Sequence, residues 1–366
     1  MMSNKFFVFT RYRIVLFSGL LIVLTLFAIF GESIRLAMFA EGDAFRHFDG
    51  NLSVHFIDVG HGDAIAIKFP DNRTMLIDGG AEFYSRRVQN YVKQRISKNR
   101  IDYVVNTHPS DDHSGGLVGV LSEFKIGTVY RPVARVVGDP DQESTRVATL
   151  NPLPSYNNFI GQAYKHAERV DIIKAGIRIE GKDWKLQFHT PSEDVMHAGL
   201  GGDVRQLSPI ITLEYGNSIF VLTGSAGFVA EGDFVTSDSA REIFQTERIA
   251  DKKIYLKVGD SGSNNATGLP FLSLVRPTTA IISVGTRLQG YPDSRVMNEL
   301  RYRQNVEKIH LTRDDGNIAI RTNGTSAKTF LGFNNPPNLW WLYIALCATS
   351  FSLSFWNYKR ATATEA

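Results

Sequence analysis

Cysteine is nearly missing from this chain: its 366 residues include one, Cys347, in an apolar segment near the C-terminus. That excludes a disulfide within the chain and a thiolate zinc knuckle, so any metal must be held by histidine and carboxylate. A surplus of one charge is missing too. Forty basic residues face 37 acidic ones, a formal net charge of +3. Nothing in that balance demands a nucleic-acid partner, although a basic groove can exist locally. Repeats of fixed short period and low-complexity tracts are also absent. What is present is 43% hydrophobic residues, over a length that suits one large domain or two ordinary ones. A sizeable buried core is therefore available.

Two long uncharged runs sit at the ends. The first, 14–30 (IVLFSGLLIVLTLFAIF), follows Lys5, Arg11 and Arg13. At roughly 1.5 Å per residue it comes near the lower limit for crossing about 30 Å of hydrocarbon. The second, 339–358 (LWWLYIALCATSFSLSFWNY), opens with Trp340 and Trp341, closes with Trp356 and Tyr358, and precedes Lys359 and Arg360. Aromatics at both ends of such a run form an interfacial belt. Basic residues before the first run and after the second place both termini in the cytoplasm and the main domain outside it, in a bacterial-type cell membrane. The expected layout is an anchor and tail over 1–50, one domain over 51–332, and a C-terminal span with a short basic tail over 333–366. A cleaved signal peptide is the alternative for the first run, since Ala37-Met38-Phe39-Ala40 offers small residues for processing. A buried helix is the alternative for the second, but Asn334-Asn335-Pro336-Pro337-Asn338 before it argues for a break.

Between the ends, short strands and helices alternate. Val54 to Ile57, Ala64 to Ile67 and Met75 to Asp78 read as strands joined by glycine turns. Tyr84 to Lys98 has apolar residues at helical spacing among basic ones, and a second helix is expected from about Tyr156 to Arg169. Trp184 to Phe188 alternates as a strand, and 210–215 with 218–222 form a hairpin turning on Gly216-Asn217. Further strands are expected at Lys253 to Val258 and Ala280 to Val284. This order suggests a layered α/β sandwich.

The chemistry concentrates in Thr107-His108-Pro109-Ser110-Asp111-Asp112-His113-Ser114-Gly115-Gly116, directly after the strand-like Tyr103-Val104-Val105. Two imidazoles and two carboxylates within six positions at a strand exit are what a metal-dependent hydrolase uses for ligands. Gly224-Ser225-Ala226-Gly227 does not complete a nucleophile elbow of the Gly-x-Ser-x-Gly type, because position 223 is Thr. Arg86, Arg87, Lys93, Arg95, Lys98 and Arg100 form a basic region, read most simply as a solvated face.

Phe56-Ile57-Asp58-Val59-Gly60-His61-Gly62-Asp63-Ala64, Leu76-Ile77-Asp78-Gly79-Gly80, the His108 to Gly116 motif, Leu222-Thr223-Gly224, Lys257-Val258-Gly259 with Gly262-Ser263, and Ile282-Ser283-Val284-Gly285 occur in an order that resembles metallo-β-lactamase-fold domains. The subgroup they resemble most is the ComEC-type domain of bacterial competence proteins, over roughly Leu52 to Gly324. The resemblance implies an αββα sandwich with a metal site at one edge of its two sheets. Two apolar runs are too few for the large channel domain that accompanies this module in competence proteins, so DNA transport by this chain alone is not expected.

Against the family pattern, His108, Asp112 and His113 match ligand positions, while five others depart. Ser110 stands where His or Asp is usual, and Ser225 where a metal-bridging Asp is expected. Asp260-Ser261 replaces a His-His pair, and Tyr291 stands where the subgroup has His. Removing the bridging carboxylate and imidazoles argues against a stable pair of ions. A carboxylate at 260 beside Asp112 and His113 points instead to one zinc or manganese ion held by His108, Asp112, His113 and Asp260, or to none. The expectation is a membrane-anchored, hydrolase-like protein, weak or inactive as a dinuclear enzyme. The alternative is a mononuclear hydrolase of a phosphodiester or nucleic-acid-like substrate, with Asp112 and His113 central to catalysis. A third reading, from another class, is a binding protein that uses the old cleft to hold a partner at the membrane.

Overall fold

Leu52, Val54 and Phe56 alternate with Ser53 and His55, and this period of two decides which side of the first strand meets which layer. The structure, a computed structural model, describes residues 51–134, 154–197, 204–286, 290–304 and 306–332, together with Gly19. Gly19 apart, these residues belong to one unit, 41–334.

Among the described residues there are fifteen strands. The first six are β1 (Leu52–Phe56), β2 (Ile65–Lys68), β3 (Thr74–Ile77), β4 (Arg100–Val105), β5 (Lys125–Arg131) and β6 (Ala167–Ile172). Then come β7 (Arg178–Glu180), β8 (Trp184–Phe188), β9 (Ile211–Tyr215), β10 (Ser218–Leu222), β11 (Lys253–Lys257), β12 (Thr279–Ile282) and β13 (Lys308–Leu311). The last two are β14 (Ile318–Thr322) and β15 (Ala327–Leu331). They make two sheets, ordered β15-β14-β1-β2-β3-β4-β5-β6 and β13-β12-β11-β10-β9-β8-β7.

The sheets pack face to face. Leu52, Val54, Phe56, Ile65 and Ile67 of the first meet Leu186, Phe188, Leu213, Phe220 and Leu222 of the second in one buried cluster. The opposite faces are covered by helices. His55, pointing away from the sandwich core, reaches the Tyr91 hydroxyl at 2.9 Å on helix α1 (Ser85–Arg95). Helix α2 (Asp111–Glu123) buries Leu117, Val120 and Leu121, and α3 (Pro154–His166) buries Tyr156, Phe159 and Ile160. On the second sheet, Ile219, Val221, Ile254 and Leu256 pack against Ala230 and Phe234 of α4 (Phe228–Thr236) and against Phe271, Leu272 and Val275 of α5 (Leu269–Val275). The layered α/β sandwich expected from the sequence is the observed architecture.

The hairpin on Gly216-Asn217 is present, with Gly216 at a φ of +54° and β9 and β10 paired antiparallel from Tyr215↔Ser218 to Ile211↔Leu222. The helix expected to reach Arg169 stops at His166, because 167–172 is drawn into the sheet beside β5, Thr128 opposite Arg169. The basic region is largely paired: Lys93 meets Glu123, and Arg100 meets Asp102 and Glu168. Among the described residues no helix is long and apolar enough to cross a membrane. The two apolar runs, 14–30 and 339–358, lie outside the described residues apart from Gly19.

Candidate functional site

Six loops converge at one end of the sandwich, three from the first sheet and three from the second. Asp78, just past β3, organises the first three. Its backbone takes a φ of +57°, a conformation that Asp tolerates better than most residues. Its Oδ1 accepts the Thr107 N–H at 2.7 Å and the Asn106 amide at 3.2 Å. Its Oδ2 accepts the Thr107 hydroxyl and His113 Nδ1, the latter at 2.8 Å. Completely buried, Asp78 thus pins the 106–108 segment and the first turn of α2 to β3. Two glycines are required by close approach rather than by turn shape alone. A Cβ on Gly62 would stand 2.0 Å from the Asp112 carbonyl oxygen, and one on Gly116 would stand 1.9 Å from the Gly79 carbonyl oxygen. Backbone meets backbone at both points.

His113 is the hub. Because Asp78 can only accept, His113 Nδ1 is the donor, which leaves Nε2 facing the second sheet. There it meets the Ser225 hydroxyl at 2.8 Å, across the gap from the loop after β10. Burial alone would lower the imidazole pKa, but Asp78, with Asp112 and Asp63 beyond it, pushes it up to about 9. Asp112 Oδ2 lies 4.0 Å from His113 Nε2 and 3.7 Å from His61 Nε2. Burial works against the Asp112 charge, yet His113, the Ser110 hydroxyl, His61 and His108 together hold its carboxyl below the usual range.

The residues expected to share one ion are placed as follows. His108 is nearly buried, with Nδ1 bonded to the Ser110 hydroxyl at 2.8 Å, and the ring centroid 5.4 Å from that of His113. Ser110 also donates to Asp112 Oδ1, so one hydroxyl bridges His108 and Asp112. Asp260 belongs to a turn with positive φ at Asp260, Ser261 and Gly262, tied to the β10 loop by its N–H on the Gly224 carbonyl at 3.1 Å. Its carboxylate faces Arg205 at 3.6 Å. Tyr291 packs edge-on to the His61 ring, 5.7 Å between centroids.

Among the described residues, one group of three side chains brings metal-ligating atoms within 4.8 Å of one another: Asp63, Asp78 and His113. Of these, His113 alone belongs to the expected set. Asp63 meets the ammonium of Lys257, buried at the end of β11, which also donates to the Gly224 carbonyl at 2.9 Å. Sequence reading missed the Asp63–Lys257 pair and the Ser225–His113 contact. Positional order was the available signal: Lys257 ends β11 and Ser225 follows β10, each where a loop of the second sheet turns toward the site.

A family model for the metallo-beta-lactamase superfamily matches residues 57–286. ComE operon protein 3 of Bacillus subtilis (strain 168) is 25% identical over 284 residues, which is 73% of this chain and 33% of that protein. The chain thus spans about a third of the length of that curated relative. Among solved structures, the metallo-beta-lactamase fold protein YhfI from Bacillus subtilis is 10% identical, covering 74% of this chain and 99% of that one, with a TM-score of 0.42. CmlA, a diiron beta-hydroxylase from Streptomyces venezuelae, is 12% identical over 78% of this chain and 55% of that one, with a TM-score of 0.41. The family match covers more than half of the chain, from the β1 exit to the start of the loop after β12, and takes in every site residue named above except Tyr291: the chain belongs to the metallo-beta-lactamase superfamily.

Proposed function

We propose that this chain is a membrane-anchored, hydrolase-like member of the superfamily in which contacts between side chains have replaced a dinuclear metal centre. The observation that carries this reading is the Ser225 hydroxyl on His113 Nε2 at 2.8 Å. Superfamily proteins generally hold zinc or other metals, and a pair of ions about 3.5–4 Å apart needs a bridging anion to offset their repulsion. Serine at 225 supplies a neutral hydroxyl instead. Ser110, another neutral group, is spent between His108 and Asp112. At the Asp63, Asp78 and His113 group the charges are already matched, since Lys257 neutralises Asp63 and His113 Nδ1 is committed to Asp78. A pair of ions does not fit these residues. A single ion at that group must displace an ammonium.

Metal analysis of the purified protein after growth in zinc or manganese tests the reading. Less than a few tenths of an ion per chain is expected. One ion or more per chain, lost on His113→Ala, would instead support the mononuclear hydrolase of a phosphodiester or nucleic-acid-like substrate.

The apolar runs at 14–30 and 339–358, with basic residues on their outer flanks, support an anchor with both termini in the cytoplasm and the domain outside. There the domain meets its partner or substrate at the membrane surface. A reporter fused after Ala366 is expected to be active only in the cytoplasm. Activity confined to the outside rules this topology out.

A further inference from the structure

Two of the contacts described above join three side chains in series. Asp78 Oδ2 accepts from His113 Nδ1 at 2.8 Å, and His113 Nε2 meets the Ser225 hydroxyl at 2.8 Å. A hydroxyl, an imidazole with one nitrogen on that hydroxyl, and a buried carboxylate fixing the other nitrogen are the parts of a nucleophile relay, recognised by geometry and not by position in a chain. The parts sit on rigid supports. Ser225 follows β10 in a turn closed by the Ala226 N–H on the Thr223 carbonyl at 2.8 Å, and the Thr223 hydroxyl is held by the Lys257 carbonyl at 2.6 Å. Asp78 is held by Asn106 and Thr107, so its carboxylate cannot swing away from His113.

We infer that Ser225, His113 and Asp78 form a metal-independent relay that cleaves small uncharged carboxylic esters, with Ser225 as nucleophile, His113 as base and Asp78 as positioning residue. The inference rests on the reading that no metal pair occupies the Nε2 side of His113. In the first step the Ser225 oxygen attacks the ester carbonyl carbon and its proton passes to His113 Nε2. The tetrahedral adduct collapses, the bond to the alkoxy oxygen breaks, and the leaving alkoxide takes that proton and departs as an alcohol. Water then attacks the acyl-serine, giving a proton to His113 and releasing the carboxylic acid. Ser225 recovers its hydrogen from the imidazole.

The charges around His113 select the substrate class. Asp78, Asp63 and Asp112 face the ring, Lys257 neutralises Asp63, the His108 ring lies beside it, and Arg205 faces Asp260 farther out. Asp112 keeps its negative charge at the reacting nitrogen and repels an anionic phosphodiester, whereas a neutral ester carries no charge to repel.

The test uses the full chain in detergent with EDTA, p-nitrophenyl acetate as the neutral ester and bis(p-nitrophenyl) phosphate as the anionic diester. The expected result is release of nitrophenol from the acetate alone, with an acetyl group mapped to Ser225 by peptide mass analysis. Ser225→Ala is expected to lose the reaction by on the order of a thousandfold or more. Ser225→Cys is expected to keep the acylation, now on the new thiol, which separates loss of the nucleophile from loss of the fold. Acetylation confined to lysines or the N-terminus overturns the relay while leaving the metal-poor reading intact. Bound metal at one ion or more per chain, with cleavage of the diester abolished by EDTA, overturns the reading beneath it.

Discussion

Replacing Lys257 by Met keeps the buried stem and removes the ammonium. The side chain is 1% exposed and its partner Asp63 2%, so neither charge has water to fall back on. Without Lys257 the Asp63 carboxylate stays buried beside the Asp78 and His113 pair, and the Gly224 carbonyl loses a donor. Breaking a buried ion pair from one side costs about 3–5 kcal/mol. His113, 4.0 Å from Asp63, recovers part of this while it is protonated, which places the expected cost near 3 kcal/mol at neutral pH. For a domain of this size that corresponds to roughly 6–12 °C in melting temperature. Urea unfolding in EDTA buffer gives the free energy directly. The companion measurement is Asp63→Asn in the Lys257→Met background, which removes the stranded charge and is expected to regain at least half of the loss, a coupling that independent sites do not show. Zinc is expected to stabilise Lys257→Met more than the parent, because the vacated place beside Asp63, Asp78 and His113 then suits a cation. A loss under about 1 kcal/mol for Lys257→Met, or no recovery in the double variant, would refute the view that the ammonium neutralises this site.

Stability is expected to fall with rising pH. His113 has its folded pKa raised to about 9 from 6.5, so its contribution is complete below about 6.5 and lost as pH passes 9. Glu231, raised by burial to about 7 against the N–H groups of Gly268 and Thr267, acts with the same sign between 4.5 and 7. Denaturant midpoints that rise from pH 7 to 9 contradict the His113 assignment, and midpoints that rise from pH 4.5 to 7 contradict that of Glu231. Ser110→Asp combined with Ser225→Asp restores two family ligands and is expected to take the chain from a few tenths to at least one tightly held zinc or manganese ion, measured by titration calorimetry. Unchanged metal uptake refutes the account of how the centre was lost. Gly116→Ala sets a methyl 1.9 Å from the Gly79 carbonyl oxygen and is expected to cost about 3 kcal/mol. Gly161→Ala, in α3 with open space around it, is expected to gain about 0.5–1 kcal/mol. Equal melting temperatures for the two variants argue against the close packing of α2 on the 78–80 turn.

What the sequence made legible was local or ordered. The β9–β10 hairpin could be read because its turn residues and alternation lie within a dozen positions. His108, Asp112 and His113 could be read because the strand exit and helix start are adjacent in the chain. The helix expected through Arg169 ran too long because its last residues keep a tolerable helical spacing, and only the free edge of β5 makes a strand the better solution for 167–172. The Asp63–Lys257 pair could not be read because its members are 194 positions apart, nor the Ser225–His113 contact because its members are 112 apart. Neither distance leaves a trace in a periodic pattern. The substitutions at 110 and 225 were visible as departures from the family, but what the new hydroxyls bind depends on which loops the two sheets bring together.

The place of β1 between β2 and β14 has a consequence for synthesis. Phe56 pairs with Ile318 and Leu52 with Thr322, so one edge of the first strand is completed by the last hairpin of the domain. A ribosome working at roughly 5–20 residues per second needs on the order of tens of seconds to deliver that hairpin. During this interval Leu52, Val54 and Phe56 stand on an open edge strand, the state most prone to pair with a neighbouring chain. Until the hairpin arrives, that edge of β1 has no strand of its own domain to pair with.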